Sequence, residues 1–284
     1  MKKILVPTDY SDNAGNALNF AINIAAQLNA KIYLVHIAKE LVLPPYVFGE
    51  KYEALLAAEQ EKNDAELQDY KITYFNPLNE GLGPVVCETV SKMGDVIETL
   101  EQLVNELEID LLVMGTKGAS GLKKVIMGSN TAEIIKKMIC PVLAVPEAAN
   151  FQGFGTVVFA TDYNNMNPHQ SLIPLAELSR NFNSEVLIFY IKSSRTVIDF
   201  TEMENSKQEI SEILAASNHS FHIYQQEDLV NGINEITDTY NASMLVLIPK
   251  KHDLFERIFS RDITIEMAYQ TNVPLLSLPA AKVL

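Results

Sequence analysis

Short apolar runs alternate along this chain with longer stretches in which apolar residues return at helical spacing. Ile4 to Pro7 and Lys31 to Ile37 read as buried strands. Between them Ala17, Phe20, Ala21, Ile24, Ala25 and Leu28 mark one helix face, which Ser11 or Asp12 can cap. The chain therefore opens with a βαβ unit, whose crossover should be right-handed. From Ala38 to about Val85 the pattern weakens. Pro44-Pro45 interrupts an apolar loop, Glu50 to Gln68 reads as a polar helix, and Lys71 to Phe75 reads as an irregular or additional strand. Val85 to Val90 is a clearer strand. Asp95 then starts a helix with Ile97, Leu100, Leu103, Val104 and Leu107 on one face. Ile109 to Met114 is a buried strand ending on Gly115, Ser129 to Met138 is a helix, and Pro141 to Pro146 is a closing strand.

The second half restates the first. Val157 to Tyr163 repeats Leu5 to Tyr10, and Val186 to Ile191 repeats the second strand. Met244 to Ile248 and Val273 to Pro279 match the strands at Ile109 and Pro141. The offset falls from 153 residues at the two Thr-Asp-Tyr segments to 133 at Pro141 and Pro274, so about twenty extra residues lie between Ala38 and Asp95. Two units are expected, residues 1–147 and 156–284, joined by a linker over Glu147 to Gly155.

Composition narrows the classes of function. With 284 residues the chain suits two units that each bury a core. A net charge of −14 argues against a nucleic-acid groove, which needs clustered Lys and Arg. Cys87 and Cys140 stand in apolar segments without a CxxC neighbour, so they read as small hydrophobes. The apolar run after Met1-Lys2-Lys3 ends at Pro7, and no run has the length of a membrane span. A cytoplasmic protein is expected.

Candidate chemistry centres on Gly115-Thr116-Lys117-Gly118, followed after nine residues by Gly128-Ser129. Strand, glycine turn, loop and helix start make an anion seat, because backbone N–H groups approach a phosphate closely only where no Cβ intervenes. Neither a Walker loop nor a GxGxxG fingerprint is present. The spacing G-x2-G-x9-G-[ST] resembles the ATP-binding signature of the universal stress protein family, and the repeat makes the whole chain similar to a tandem member. That resemblance implies an α/β fold of two tandem doubly wound, Rossmann-like five-stranded parallel sheets, related to the adenine nucleotide alpha hydrolases. It also implies an adenine nucleotide ligand, ATP or AMP/ADP, with Mg²⁺ as companion.

The resemblance carries roles onto particular residues. Asp9, with Thr8 before it, matches the first-strand aspartate expected beside the ribose or a phosphate-bound Mg²⁺. His36, Ile37 and Ala38 at the end of the second strand are expected near the adenine. Gly115, Lys117, Gly118, Gly128 and Ser129 match the signature, and Asn130 and Thr131 extend the helix start. Plainer readings stand beside these: Asp9 as an Asx turn, Lys117 as a solvated charge, His36 as a satisfied core histidine. His219 and His222 fall on opposite faces of a strand, which argues against a metal pair.

In the second half Ile248, Lys251, Arg261 and Asp262 stand where Gly115, Gly118, Gly128 and Ser129 do. Side chains occupy the approach positions, so this half is expected to keep the fold and lose the nucleotide, although Asp162 survives. The two closing strands are expected to pair within one chain, removing two apolar edges, and whole chains can dimerise as well. The implied function is a nucleotide-responsive stress regulator acting through a protein partner. The competing readings are a slow ATP hydrolase or nucleotidyl-transfer enzyme at the same site, and a structural stress protein that binds no nucleotide.

Overall fold

A computed structural model describes residues 1–116, 129–137, 139–161, 171–192, 200–249 and 261–279, with the side chains of residues 129, 261, 262 and 269 left aside. The first half runs β1 (Lys3–Pro7), α1 (Asp12–Leu28), β2 (Lys31–Ala38), α2 (Glu50–Tyr70), β3 (Cys87–Met93), α3 (Val96–Glu106), β4 (Leu111–Gly115), α4 (Ser129–Lys137) and β5 (Val142–Val145). The second runs β6 (Thr156–Thr161), α5 (Ile173–Phe182), β7 (Glu185–Lys192), α6 (Phe200–Ile213), β8 (Asn218–Gln225), α7 (Leu229–Thr239), β9 (Met244–Leu247), α8 (Arg261–Gln270) and β10 (Leu275–Ser277). Local chemistry explains the helix starts. The Ser11 hydroxyl accepts from the Ala14 N–H, and the Asp95 carboxylate accepts from the N–H groups of Ile97 and Glu98.

The ten strands among the described residues join one sheet in the order β3-β2-β1-β4-β5-β10-β9-β6-β7-β8. Within each half every pairing is parallel. Among the described residues the single antiparallel contact joins the halves, with Leu275 opposite Ala144 and Ser277 opposite Val142. The expected pairing of the closing strands is therefore present, and the two parallel sheets are one continuous layer. Helices cover both faces, which is why the strands read as unbroken apolar runs. Ile4, Val6, Phe20, Leu67, Leu175 and Ile210 belong to the core beneath α1, α2, α5 and α6, while Leu5, Leu100, Ile134, Ile233 and Met267 belong to the core beneath α3, α4, α7 and α8.

The register locates the extra residues of the first half. Ile32 and Val186 hold matching positions 154 residues apart, whereas Cys87 and His219 are 132 apart, so 22 extra residues lie between β2 and β3. Part of that segment corrects the sequence reading. Lys71 to Phe75 is not a strand; α2 continues through one π turn and then a short turn over Asn76–Asn79. The five-residue separation of Tyr70 and Phe75 lets one π turn bury both, while Ile72 and Tyr74 face solvent. The strand expected at Val85 to Val90 starts later and runs longer, over Cys87–Met93. The linker also does more than its composition suggests. Phe151 and Phe154 stack edge-on against Phe182 of α5, and Phe151 does the same against Phe20 of α1.

Candidate functional site

In the first half the chain winds outward from β1 through β2 to β3, then returns to lay β4 on the other side of β1. β1 and β4 thus flank a topological switch point, where loops diverge and leave a crevice at the carboxyl edge of an open parallel sheet. Thr8 and Asp9 leave β1 there, His36, Ile37 and Ala38 end β2 beside them, and Gly115 and Thr116 end β4 opposite. Sequence-predicted positions scattered over more than one hundred residues therefore share one edge. Lys117, Gly118 and Gly128 lie outside the described residues, as does the side chain of Ser129.

Asp9 is solvent-exposed, and its Oδ1 accepts from both the N–H (3.1 Å) and the hydroxyl (2.6 Å) of Ser11. The Asx turn anticipated for it is real, and it fixes the carboxylate at the mouth of the crevice. Thr8 is buried, its N–H donates to the Val35 carbonyl, and its hydroxyl accepts from the Tyr10 N–H at 3.0 Å. The His36 Nδ1 lies 2.9 Å from the Thr8 carbonyl, so this nitrogen carries a proton and donates. That bond makes His36 the satisfied histidine of the plainer reading and a brace for the Thr8–Tyr10 turn. Ile37 and Ala38 are half-buried and extend the same edge.

Tyr10 was not singled out by sequence. It sits at φ 64°, a left-handed backbone unusual for an aromatic residue. Its ring stacks on His36 at 4.4 Å and meets Tyr70 of α2 edge-on at 5.2 Å, contacts that offset the local strain. Burial, aided by the Glu66 carboxylate and Tyr70, pushes its hydroxyl up to about 12. An aromatic residue following a Thr-Asp turn was the available signal.

On the opposite side α4 begins at the crevice. Thr131 is 2% exposed, and its hydroxyl donates to the Gly115 carbonyl at 3.0 Å. The hydroxyl is thereby committed, so what Thr131 can offer a ligand is its backbone N–H in the first helical turn, next to exposed Asn130. Gly115 has a packing reason for lacking a side chain: a Cβ there would lie 2.6 Å from Asn13 Nδ2 and 3.0 Å from the Asn13 carbonyl. The need expected from phosphate approach is met first by α1, through a residue that sequence reading passed over. Among the described residues no three His, Cys, Asp or Glu side chains gather as a metal cluster. A divalent ion here would thus rely on Asp9 together with ligand oxygens and water.

The second half has the same switch point between β6 and β9, but Ile248 is buried where Gly115's counterpart would be. Residues 162–170 and 250–260, including Asp162 and Lys251, lie outside the described residues. His219 contacts Ser211, whereas His222 stacks on Phe189, consistent with opposite faces. No described helix is long and apolar enough to cross a membrane.

Comparison with known proteins agrees with this architecture. The chain is 30% identical over 144 residues to a universal stress protein of Methanocaldococcus jannaschii, covering 51% of this chain and 81% of the relative. It is 27% identical over 144 residues to one of Bacillus subtilis, covering 50% of this chain and 97% of that one. The crystal structure of a universal stress protein from Archaeoglobus fulgidus superposes over 98% of both chains with a TM-score of 0.71 at 16% identity, which speaks for the fold of both halves together. The family model described as the universal stress protein family matches residues 1–146, half of the sequence. The chain belongs to the universal stress protein family.

Proposed function

We propose that this protein binds an adenine nucleotide, ATP or AMP/ADP, in its first unit, residues 1–147, and acts in the cytoplasm as a nucleotide-responsive stress regulator. The observation that carries the reading is the convergence of exposed Asp9 and the start of α4 on the two sides of one switch point, with α4 tied to β4 by the Thr131–Gly115 bond. The N–H groups of a helix's first turn have no intrahelical carbonyl and favour a phosphate, and residues 117–128 supply the remaining motif positions Lys117, Gly118 and Gly128. His36, Ile37 and Ala38 offer the base its edge. Asp9 suits a Mg²⁺ that arrives with the phosphates, since a single carboxylate plus phosphate oxygens and water is the usual Mg²⁺ set.

The second unit, residues 156–284, is the structural partner. Buried Ile248 supports its loss of the nucleotide. Slow turnover, if present, is incidental to a regulator. Calorimetric titration of ATP with Mg²⁺ into nucleotide-free protein tests the proposal. One site per chain, weakened about tenfold or more by Asp9→Ala, is the expected result. No heat, or two equivalent sites per chain, rejects it.

A further inference from the structure

The ten-stranded sheet ends in β3 on one side and β8 on the other, and the two edges differ. In β3 the hydrogen bonds from Ile32 to Val86 and from Gly94 to Ala38 show that even-numbered residues face β2, so Cys87, Thr89, Ser91 and Met93 turn their backbone groups outward. Two carbonyls of that outer row are capped. Lys71 Nζ donates to the Cys87 carbonyl at 2.8 Å, Gln60 Nε2 donates to the Ser91 carbonyl at 3.2 Å, and the Thr89 hydroxyl reaches Gln68. The two carbonyl caps and the Thr89 side-chain contact all come from α2 and its π turn, within the 22 extra residues of the first half and the helix they extend.

The second half lacks that extension. In β8 the bond from the Gln226 N–H to the Lys192 carbonyl sets the same parity, so His219, Phe221, Ile223 and Gln225 present their backbone N–H and C=O outward. Among the described residues no side chain or backbone group caps this row, and α6 reaches β8 through Ser211 to the His219 ring rather than to its edge. No Asp, Glu, Lys, Arg or Pro occurs from Asn218 to Gln226, in a chain with a net charge of −14. Ile223 is 49% exposed. Long, uncharged, regular edges are the ones that recruit another strand.

We infer that β8 pairs antiparallel with β8 of a second copy of this chain, about a two-fold axis through His222. Such a register sets Phe221 opposite Ile223 of the second copy, and Ile223 opposite its Phe221, so each outward residue exchanges both backbone hydrogen bonds and two aromatic–aliphatic pairs form on one face. The strand is its own complement because nothing in it repels its copy. Antiparallel edge pairing is also how this fold already joins its halves at β5 and β10. With the Cys87 and Ser91 carbonyls of β3 occupied by α2 and its π turn, the assembly closes at two chains instead of growing into a fibre.

Sedimentation velocity of the full chain over a range of concentrations tests this. A dimer is expected, with its dissociation constant raised about tenfold or more by Ile223→Lys and by Ile223→Pro. The proline removes an outward donor that pairing with β7 does not use, so circular dichroism and Tm should show both variants folded. Hydrogen exchange should protect the Phe221, Ile223 and Gln225 amides in the dimer. Removing the caps with Gln60→Ala and Lys71→Ala should add species larger than a dimer. A wild-type monomer at every concentration, or a dimer that survives in both folded Ile223 variants, overturns the inference.

Discussion

The Thr131 hydroxyl donates to the Gly115 carbonyl across 3.0 Å, joining the first turn of α4 to the last residue of β4. This bond sets where the helix start faces the crevice. Thr131→Val keeps the shape and removes the donor, leaving a part-buried carbonyl without this partner. The expected loss is about 1–3 kcal/mol of stability, read by denaturant unfolding, together with weaker nucleotide binding. Unchanged stability would mean the carbonyl finds another partner.

Gly115 and Asn13 make the second junction. A methyl group at position 115 meets Asn13 Nδ2, Cγ and carbonyl oxygen within 3.0 Å, and the carbonyl belongs to the α1 backbone. Gly115→Ala should therefore destabilise by about 1–3 kcal/mol through overpacking. Adding Asn13→Ala removes the two side-chain contacts and should recover part of that loss in a double-mutant cycle. Full additivity would show that the two residues do not meet.

Tyr10 gives a pH signature. Its hydroxyl is raised from 10.0 to about 12, chiefly by burial, so the folded state favours the neutral phenol. The sign follows: this contribution is intact below pH 10 and fades as pH climbs from 10 towards 12, where the unfolded phenol ionises first. Wild type should lose more Tm across that window than Tyr10→Phe. At neutral pH the variant should match wild type, since the hydroxyl has no hydrogen-bond partner among the described residues.

Both cysteines are buried, and burial pushes Cys87 up to about 11 and Cys140 up to about 12. Because the thiolate is the reactive form, a thiol reagent near neutral pH should label the native chain slowly and the unfolded chain fully. Rapid labelling of native protein would contradict their place in the core.

Where one rule acts locally, the sequence was legible. Apolar runs marked the buried strands, Ser11 and Asp95 announced their helices, and the falling offset between the repeats announced extra residues that the register places between β2 and β3. The segment Lys71 to Phe75 misled because Ile72 and Tyr74 alternate as in a strand, yet α2 carries straight through them to bury Tyr70 and Phe75. Long-range contacts were not legible either. Nothing near Gly115 in sequence reveals that Asn13, some hundred residues earlier, occupies the space its side chain would need. Phe154 looked like linker, but it is 1% exposed between α1 and α5. The candidate site residues stand out in the sequence as motif positions, while the braces Tyr10 with His36 and Thr131 with Gly115 needed the fold.

Amide-resolved hydrogen exchange with and without ATP and Mg²⁺ locates the bound nucleotide on the chain. Added protection is expected at Asp9 to Ser11, at His36 to Ala38 and at the start of α4 around Asn130 and Thr131, with no change at Thr161, Ile248 or the start of α8. Protection confined to the second half, or none anywhere at saturating nucleotide, would contradict nucleotide binding in the first unit.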